Sequence, residues 1–112
     1  MQTFFVKYKV KDNSQRSIHE WADFLNKHQK QVLESLRDEK VIFESVALDE
    51  QSDGLYLIYV MKAKDVNETF KIFENSKHEI DIFHKKFFQE VLEKPQKLQI
   101  LVDFENSDFL QA

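Results

Sequence analysis

The residues best suited to proton-transfer chemistry are concentrated in one segment, residues 76–84. It reads Ser-Lys-His-Glu-Ile-Asp-Ile-Phe-His and places His78, Asp81 and His84 three residues apart. Side chains three apart on a helix are neighbours, so the spacing predicts that these three share one polar flank. There Asp81 would accept an imidazole N–H and so select the tautomer of a histidine.

A second ionisable residue, Glu44, lies within an apolar stretch that reads as a strand, residues 41–48. If its face is buried, the carboxyl group needs a partner or a raised pKa. A carboxyl group perturbed in that way can serve as a general base in a cavity. If the face is instead an exposed edge, Glu44 would only discourage edge pairing. Strand alternation predicts that it shares its face with Ile42, Val46 and Leu48.

Each residue of the segment also has a purely structural interpretation. His78 could be solvated in the first helical turn, Asp81 could stabilise the helix N-terminus, and His84 could be a core histidine. The histidines could also hold a divalent metal or a haem iron, although their spacing matches no established zinc signature. We predict a catalytic set without a cofactor, namely Glu44, His78, Asp81 and His84.

Four further residues are candidates for contact with a ligand. Arg16 could clamp a carboxylate or form only a surface ion pair. Trp21 could line a groove or belong to the core, and Tyr56 could place its hydroxyl in a cavity. Ser76 has capping-box spacing to Glu79 and would begin the histidine-bearing helix.

An alternation of strands and helices must position these side chains. Apolar residues with a period of two predict strands, and apolar residues at helical spacing predict helices. Two β-α-β halves with right-handed crossovers give a ferredoxin-like α+β sandwich, in which helices cover one face of a four-stranded antiparallel sheet. The predicted strands are 3–10, 41–48, 55–61 and 98–104, with a long helix over 18–36 and a helix pair that begins at Asp65 and Ser76 and ends before Pro95.

The predicted strand 55–61 is apolar on both faces, so one apolar face must point away from the helices. A monomer seldom leaves such a patch in water. A homodimer joined through the sheet would cover it with two-fold symmetry; otherwise the C-terminal tail must fold back over it. We predict a domain over residues 1–104 and a short tail over 105–112.

Composition excludes several classes of protein. The chain has 112 residues, the length of one domain, and its 42% hydrophobic and 13% aromatic residues exclude a disordered chain. Cysteine is absent, which excludes disulfides and thiolate sites. A net charge of −4 without a basic stripe argues against nucleic-acid binding. No apolar run resembles a signal peptide or a membrane span, so we expect a soluble, cytoplasmic protein.

The chain carries a set of distinctive short motifs: Val-Lys at the end of the first strand, Glu20-Trp21, Phe24-Leu25, Glu44-Ser45-Val46, Asp49-Glu50, Asp53-Gly54 and, most specifically, Ser76-x-His78-x-Ile80-Asp81-x-x-His84. In these motifs it resembles an uncharacterised family of small bacterial proteins, itself similar to the dimeric α/β-barrel proteins. The resemblance extends to about Phe104 and implies the fold and the dimer, but no established activity. Where the family often has Pro-Gly after the first strand, this chain has Asp12-Asn13.

Dimeric α/β barrels include cofactor-free monooxygenases, haem-binding oxygenases, isomerases and ligand-sensing modules, so the fold alone does not decide a function. The residues favour a polar small-molecule site that binds a ligand or carries out acid–base chemistry without a cofactor. The alternatives are a non-enzymatic dimeric interaction or stress-associated module, and a metal- or haem-binding protein.

Overall fold

The protein forms a four-stranded antiparallel sheet in the order β2-β3-β1-β4, with its helices on one face. A computed structural model describes residues 1–106 and 108. It confirms the predicted ferredoxin-like α+β fold. The elements are β1 (Gln2–Val10), α1 (Gln15–Lys27), α2 (Gln29–Asp38), β2 (Val41–Gln51), β3 (Gly54–Ala63), α3 (Val66–Asn75), α4 (Glu79–Val91) and β4 (Leu92–Lys97).

Burial alternates along the two central strands, and this identifies the face that the helices cover. On β3, Leu57 and Tyr59 are buried, whereas Ile58 and Val60, which alternate with them, are half-buried. Leu57, Tyr59 and Val6 of β1 belong to one hydrophobic cluster of the core, in which they pack against α1 and α4. A period of two in sequence therefore becomes one helix-covered face and one outer face.

The predicted long helix is divided in two at His28. Its imidazole Nδ1 lies 2.7 Å from the carbonyl oxygen of Phe24, and its ring stacks on the Phe24 ring at 4.1 Å. Since a carbonyl oxygen only accepts, Nδ1 carries the proton. His28 has a non-helical backbone (φ −116°, ψ 38°) and ends α1, and α2 begins at the next residue.

Of the two predicted starts of the helix pair, Asp65 and Ser76, only Asp65 begins a helix as predicted. The Asp65 side chain accepts a hydrogen bond of 3.1 Å from the Glu68 amide and so caps α3, as predicted. Ser76 instead follows the end of α3, and α4 begins after His78. Ser14 precedes α1, and its side chain does not cap that helix.

The last strand lies earlier in the chain than predicted. We expected it at 98–104, after a helix that Pro95 ends, but β4 follows α4 directly and contains Pro95. Proline cannot donate a ladder hydrogen bond, but it is tolerated here because β4 is an edge strand paired only with β1. Pairing ends with the Leu98 amide, which donates to the Phe5 carbonyl at 3.2 Å.

The outer face of the sheet is apolar near its centre and is crossed at one side by the end of the chain. Val60 pairs with Phe5 on one side and with Ser45 on the other. Lys62, on the same face, lies 3.6 Å from Asp103 and 3.9 Å from Glu105. Apolar side chains remain exposed, including Phe43 (41%), Leu101 (82%), Val102 (71%) and Phe104 (90%). None of the helices among the described residues is long and apolar enough to span a membrane.

Candidate functional site

A cavity of about 380 Å³ lies between the helices and the covered face of the sheet. Its floor comes from β1, β2 and β3, and its walls come from α1, α2, α3 and α4. Aromatic rings form one wall: His84 is stacked on Phe88 with centroids 4.5 Å apart and planes 11° apart, and Trp21 lies 5.6 Å from the His84 ring. The His84 imidazole is therefore held in place by aromatic rings that pack against it.

Glu44 faces this cavity from β2. It pairs with Met61 of β3, whose side chain is buried beneath the helices. Burial raises the pKa of Glu44 to about 7, and the nearby charge of Asp81 adds to the rise. No hydrogen-bond partner for this carboxyl group is found among the described residues. Of the neighbours predicted on this face, Val46 and Leu48 pack against the core, but Ile42 is 49% exposed, because the β2–β3 register shifts beside it.

His84 faces the same cavity from the middle of α4. Its Nε2 lies 3.3 Å from the hydroxyl of Tyr59 on β3. Burial lowers the pKa of His84 to about 4, and the charge of Asp81 opposes that shift only in part. Burial also raises the pKa of Tyr59 well above its usual range. Both side chains are therefore neutral at pH 7 and available as hydrogen-bonding groups.

Two more aromatic residues of the wall carry polar atoms. Tyr8 meets Tyr59 edge to face at 5.4 Å, and its hydroxyl has a pKa raised by burial and then by Glu44. The indole N–H of Trp21 is buried and finds no acceptor among the described residues. Trp21 itself is 5% exposed and packs in the core. It is thus both a core residue and part of the cavity wall.

Asp81 lies at one end of the cavity in a network of hydroxyl groups. Its two carboxyl oxygens are 2.6 Å from the Ser35 hydroxyl of α2 and 2.5 Å from the Ser76 hydroxyl. The Ser35 hydroxyl is also 2.8 Å from the carboxyl group of Glu39, and both acids are buried. Burial raises the pKa of Glu39 to about 7; a hydrogen bond donated by Ser35 to Glu39 would oppose that rise, and the charge of Asp81 adds to it.

The structure separates the three residues predicted to share a flank of the helix. His78 precedes α4, and its Nε2 makes a 2.6 Å contact with Asp38 on the surface. That hydrogen bond raises the pKa of His78. Asp81 points toward α2 and His84 toward the sheet. Only Asp81 and His84 of the three line the cavity, where Glu44 joins them.

Two of the predicted ligand contacts lie elsewhere. Arg16 is exposed on α1 and pairs with Glu20 at 2.9 Å. Tyr56 lies on the outer face of the sheet, where its hydroxyl donates to Asp53 at 2.7 Å. Neither side chain reaches the cavity. Ser76 reaches the site only through its hydrogen bond to Asp81, whereas Trp21 lines the cavity itself.

Ser35 and Glu39 are site residues that the sequence interpretation missed. Both belong to a polar stretch at the end of a surface helix, where serine and glutamate are ordinary. Ser35 and Glu39 are four residues apart, so on a helix they lie on one side, next to Val32 and Leu36 of the apolar stripe. This spacing was the signal in the sequence that could have identified them. Their burial depends on the contact of α2 with α4, which local sequence does not reveal.

The polar groups of the cavity lining are acids and neutral hydrogen-bonding groups, without a basic side chain that is charged at pH 7 among the described residues. Its titratable groups are the carboxyl groups of Glu39, Glu44 and Asp81, the imidazole of His84 and the two tyrosine hydroxyls, and none of the described lining residues is lysine or arginine. A search for groups of three or more side chains able to hold a metal ion finds none among residues 1–106 and 108.

Comparisons with known proteins identify a family and a structural relative. The model of a family of unknown function (DUF6176) matches residues 1–108. A search of curated proteins finds no match. The crystal structure of an L-rhamnose mutarotase from Formosa agariphila superposes with a TM-score of 0.64 and 19% sequence identity, covering 94% of this chain and 100% of that chain. At this identity, the structural match shows a shared fold.

Proposed function

The chain belongs to that family of unknown function, and from the geometry of its cavity we propose that it binds a small, uncharged polar molecule and transfers protons to or from it without a cofactor. The observation that carries the proposal is Glu44. It is a carboxyl group with a pKa of about 7, without a hydrogen-bond partner in the described chain, on the wall of a cavity. The cavity volume of about 380 Å³ falls within the range of roughly 300–1,000 Å³ that is usual for ligand sites.

Glu44 is suited to both directions of proton transfer. A group with a pKa near the working pH is present in both protonation states, which favours general acid–base catalysis. His84 and Tyr59 remain neutral at that pH and would orient the ligand by hydrogen bonds. Glu44 would accept a proton from a ligand hydroxyl and return it to another oxygen of the same ligand.

The charge of the lining supports an uncharged ligand. Three carboxyl groups reach the cavity, and its described lining offers no cation to offset a ligand phosphate or carboxylate. Burying such an anion beside Asp81 would be strongly unfavourable. Hydroxyl groups, in contrast, match the carboxyl, imidazole and phenol groups, and a carbon skeleton suits the aromatic wall. The sugar named for the structural relative makes neutral sugars the first ligands to test.

Thermal-shift titration with neutral monosaccharides, L-rhamnose among them, tests this proposal. Their uronic-acid and phosphate derivatives serve as charged probes. We expect stabilisation by at least one neutral sugar and none by its charged derivatives, and weaker binding by Glu44→Gln and His84→Phe. Glu50→Gln, on the exposed end of the same strand, is the matched control. Equal binding of neutral and phosphorylated sugars, or no effect of the Glu44 substitution on the bound sugar, would refute the proposal.

The reaction can be followed by NMR exchange between the anomers of the bound sugar. Proton removal from the anomeric hydroxyl and proton delivery to the ring oxygen break the ring C–O bond, and the reverse step closes it on either face. Loss of a general acid–base group typically lowers a rate by about 10²–10⁴-fold. Glu44→Gln should therefore slow anomer exchange by at least about 100-fold, whereas Glu50→Gln should not change it.

We propose in addition that two copies associate through the outer face of the sheet, which favours an interaction role as the second candidate function. The support is apolar surface that the helices do not cover: Phe43 on β2, with Leu101 and Phe104 on the segment that crosses near Lys62. Large exposed apolar patches mark interaction sites, and a two-fold pair would bury equivalent patches against each other.

Sedimentation equilibrium tests the association. The wild-type protein should sediment as a dimer, and Phe43→Asp should shift it toward the monomer. Ile82→Asp, a similar change on α4 at a residue that is 51% exposed and distant from the outer face, is the control. A monomeric wild-type protein, or a dimer unaffected by Phe43→Asp and Leu101→Asp together, would contradict this interface.

A further inference from the structure

One serine hydroxyl lies between two buried carboxyl groups at one end of the cavity. Ser35 Oγ is 2.8 Å from Glu39 Oε1 and 2.6 Å from Asp81 Oδ1. Glu39 is 5% exposed and Asp81 is 4% exposed. A hydroxyl group has one hydrogen and can donate it to only one of the two. The second short contact therefore requires a proton on one of the carboxyl groups.

The positions of the two acids on their helices decide which one holds that proton. Asp81 lies in the first turn of α4, where the helix dipole favours negative charge, and it receives a second hydroxyl from Ser76. Glu39 follows the last residue of α2, where the dipole disfavours negative charge. We propose that Glu39 and Asp81 share a single proton held on Glu39, and that this pair, bridged by Ser35, fastens the end of α2 to the start of α4 as a pH-sensitive clasp.

In this arrangement every polar contact has a donor and an acceptor. The Glu39 carboxylic acid donates to Ser35 Oγ, the Ser35 hydroxyl donates to Asp81 Oδ1, and the Ser76 hydroxyl donates to Asp81 Oδ2. Thr69 Oγ1 also donates to the Glu39 backbone carbonyl at 2.8 Å, which holds that residue from the side of α3. The clasp thus joins three helices around one proton.

Groups on every adjoining element bear on this proton. The titratable groups that face the clasp are Asp38 on α2, Glu44 on β2, Lys71 on α3, Lys77 and His78 before α4, and His84 on α4. Asp38 and Glu44 join Asp81 in raising the pKa of Glu39, to about 7, after the larger contribution of burial. Nearby acids thus reinforce the protonated state that the geometry requires.

Loss of the proton should open the clasp. When Glu39 releases it to solvent, two carboxylates compete for the single Ser35 hydrogen, and their charges repel. Ser35, Glu39 and Asp81 line both the cavity and a shallow groove on the outer side of the helices. They are therefore the partition between the two, and separation of α2 from α4 would admit solvent to this end of the cavity.

Carboxyl-carbon NMR of the wild-type protein gives the first test. The Glu39 signal, identified by its loss in Glu39→Gln, should titrate near neutral pH. Amide hydrogen exchange at the end of α2 should quicken as Glu39 titrates. A Glu39 signal that titrates in the ordinary acidic range, or amide exchange at the end of α2 that does not change as Glu39 titrates, would overturn the proposal.

Paired amide variants give the second test, because the geometry makes their effects unequal. The Glu39→Gln amide can donate to Ser35 as the acid does, so its melting temperature should equal or exceed that of wild type at alkaline pH. Asp81→Asn has one acceptor oxygen for two hydroxyl donors and should melt several degrees lower or fail to fold. Glu34→Gln and Asp23→Asn, both exposed, are the matched controls. A Glu39→Gln protein that fails to fold, or an Asp81→Asn protein as stable as wild type, would overturn the assignment. Sugar binding can fail without affecting either test.

Discussion

Glutamine at position 44 should make the stability of the folded protein less sensitive to a rise in pH from about 4.5 to about 7, because it removes a carboxyl group that ionises at a cost. In the folded state the pKa of Glu44 is raised from 4.5 to about 7. A pKa difference between the folded and unfolded states makes stability depend on pH. For an acid whose folded pKa is raised, stability is greatest below the unfolded value and falls as pH rises through the folded value. The decline contributed by Glu44 therefore runs from about pH 4.5 to about pH 7.

The magnitude follows from the size of the pKa change. One pKa unit is worth about 1.4 kcal/mol, so the rise from 4.5 to about 7 has an upper limit of about 3.5 kcal/mol. The cavity beside Glu44 admits some solvent, which screens the charge, and about 1–3 kcal/mol is the expected range. Glutamine keeps the shape of the side chain and cannot ionise, so it should abolish this contribution.

Chemical denaturation at about pH 5 and about pH 8 measures the effect. Between these two values the free energy of unfolding of the wild-type protein should fall by about 1–3 kcal/mol more than that of Glu44→Gln. The contribution of Glu39 is present in both proteins and cancels in the difference, apart from the smaller part of its pKa rise that comes from Glu44. Glu50→Gln should follow the wild type at both values. A Glu44→Gln protein with the same pH dependence as the wild type would show that the carboxyl group is not desolvated, and the acid–base proposal would lose its basis.

Three further substitutions test the surrounding structure. His84→Phe should remove a contribution to the pH dependence of stability that has the opposite sign to that of Glu44. The pKa of His84 is lowered from 6.5 to about 4, so the free energy of unfolding of the wild type rises with pH across that interval. It should rise less in the variant, which acid denaturation measures. Leu57→Ala, at a site 1% exposed, should lower the free energy of unfolding by about 2–5 kcal/mol, against less than about 0.5 kcal/mol for the control Leu33→Ala, which is 58% exposed. Asp65→Ala removes the cap on α3 and should destabilise by about 1 kcal/mol; equal stability of this variant and wild type in urea would show that the cap contributes nothing.

The fold could be predicted because apolar residues recur with a period of two in half-buried strands and at helical spacing in amphipathic helices. The alternation along β1 and β3 and the helical spacing along α1 and α4 follow directly from which side chains must be buried. The bounds of the last strand could not be predicted in this way. Pro95 normally argues against a strand, and its place in β4 depends on β4 having a neighbour on one side only.

The candidate site was likewise predictable from the sequence only in part. A lone Glu44 in an apolar strand and the histidine-bearing segment drew attention to three of the cavity residues, and strand alternation identified the face of Glu44. The position of His78 could not be anticipated, because the spacing of three presumed a helix that in fact begins after that residue. A residue just before a helix does not have helical backbone angles, so its side chain does not lie on the helix face that a spacing of three would predict.

By itself, the sequence determined which residues alternate, which repeat at helical spacing, and therefore which order of strands and helices could bury them. Only the tertiary structure decided that Glu44 reaches the same cavity as His84 and that Ser35 lies between Glu39 and Asp81. These contacts join residues far apart in the chain, and their protonation depends on how completely the surrounding helices exclude water. Periodicity records the side of an element that is buried, but not the partner that buries it.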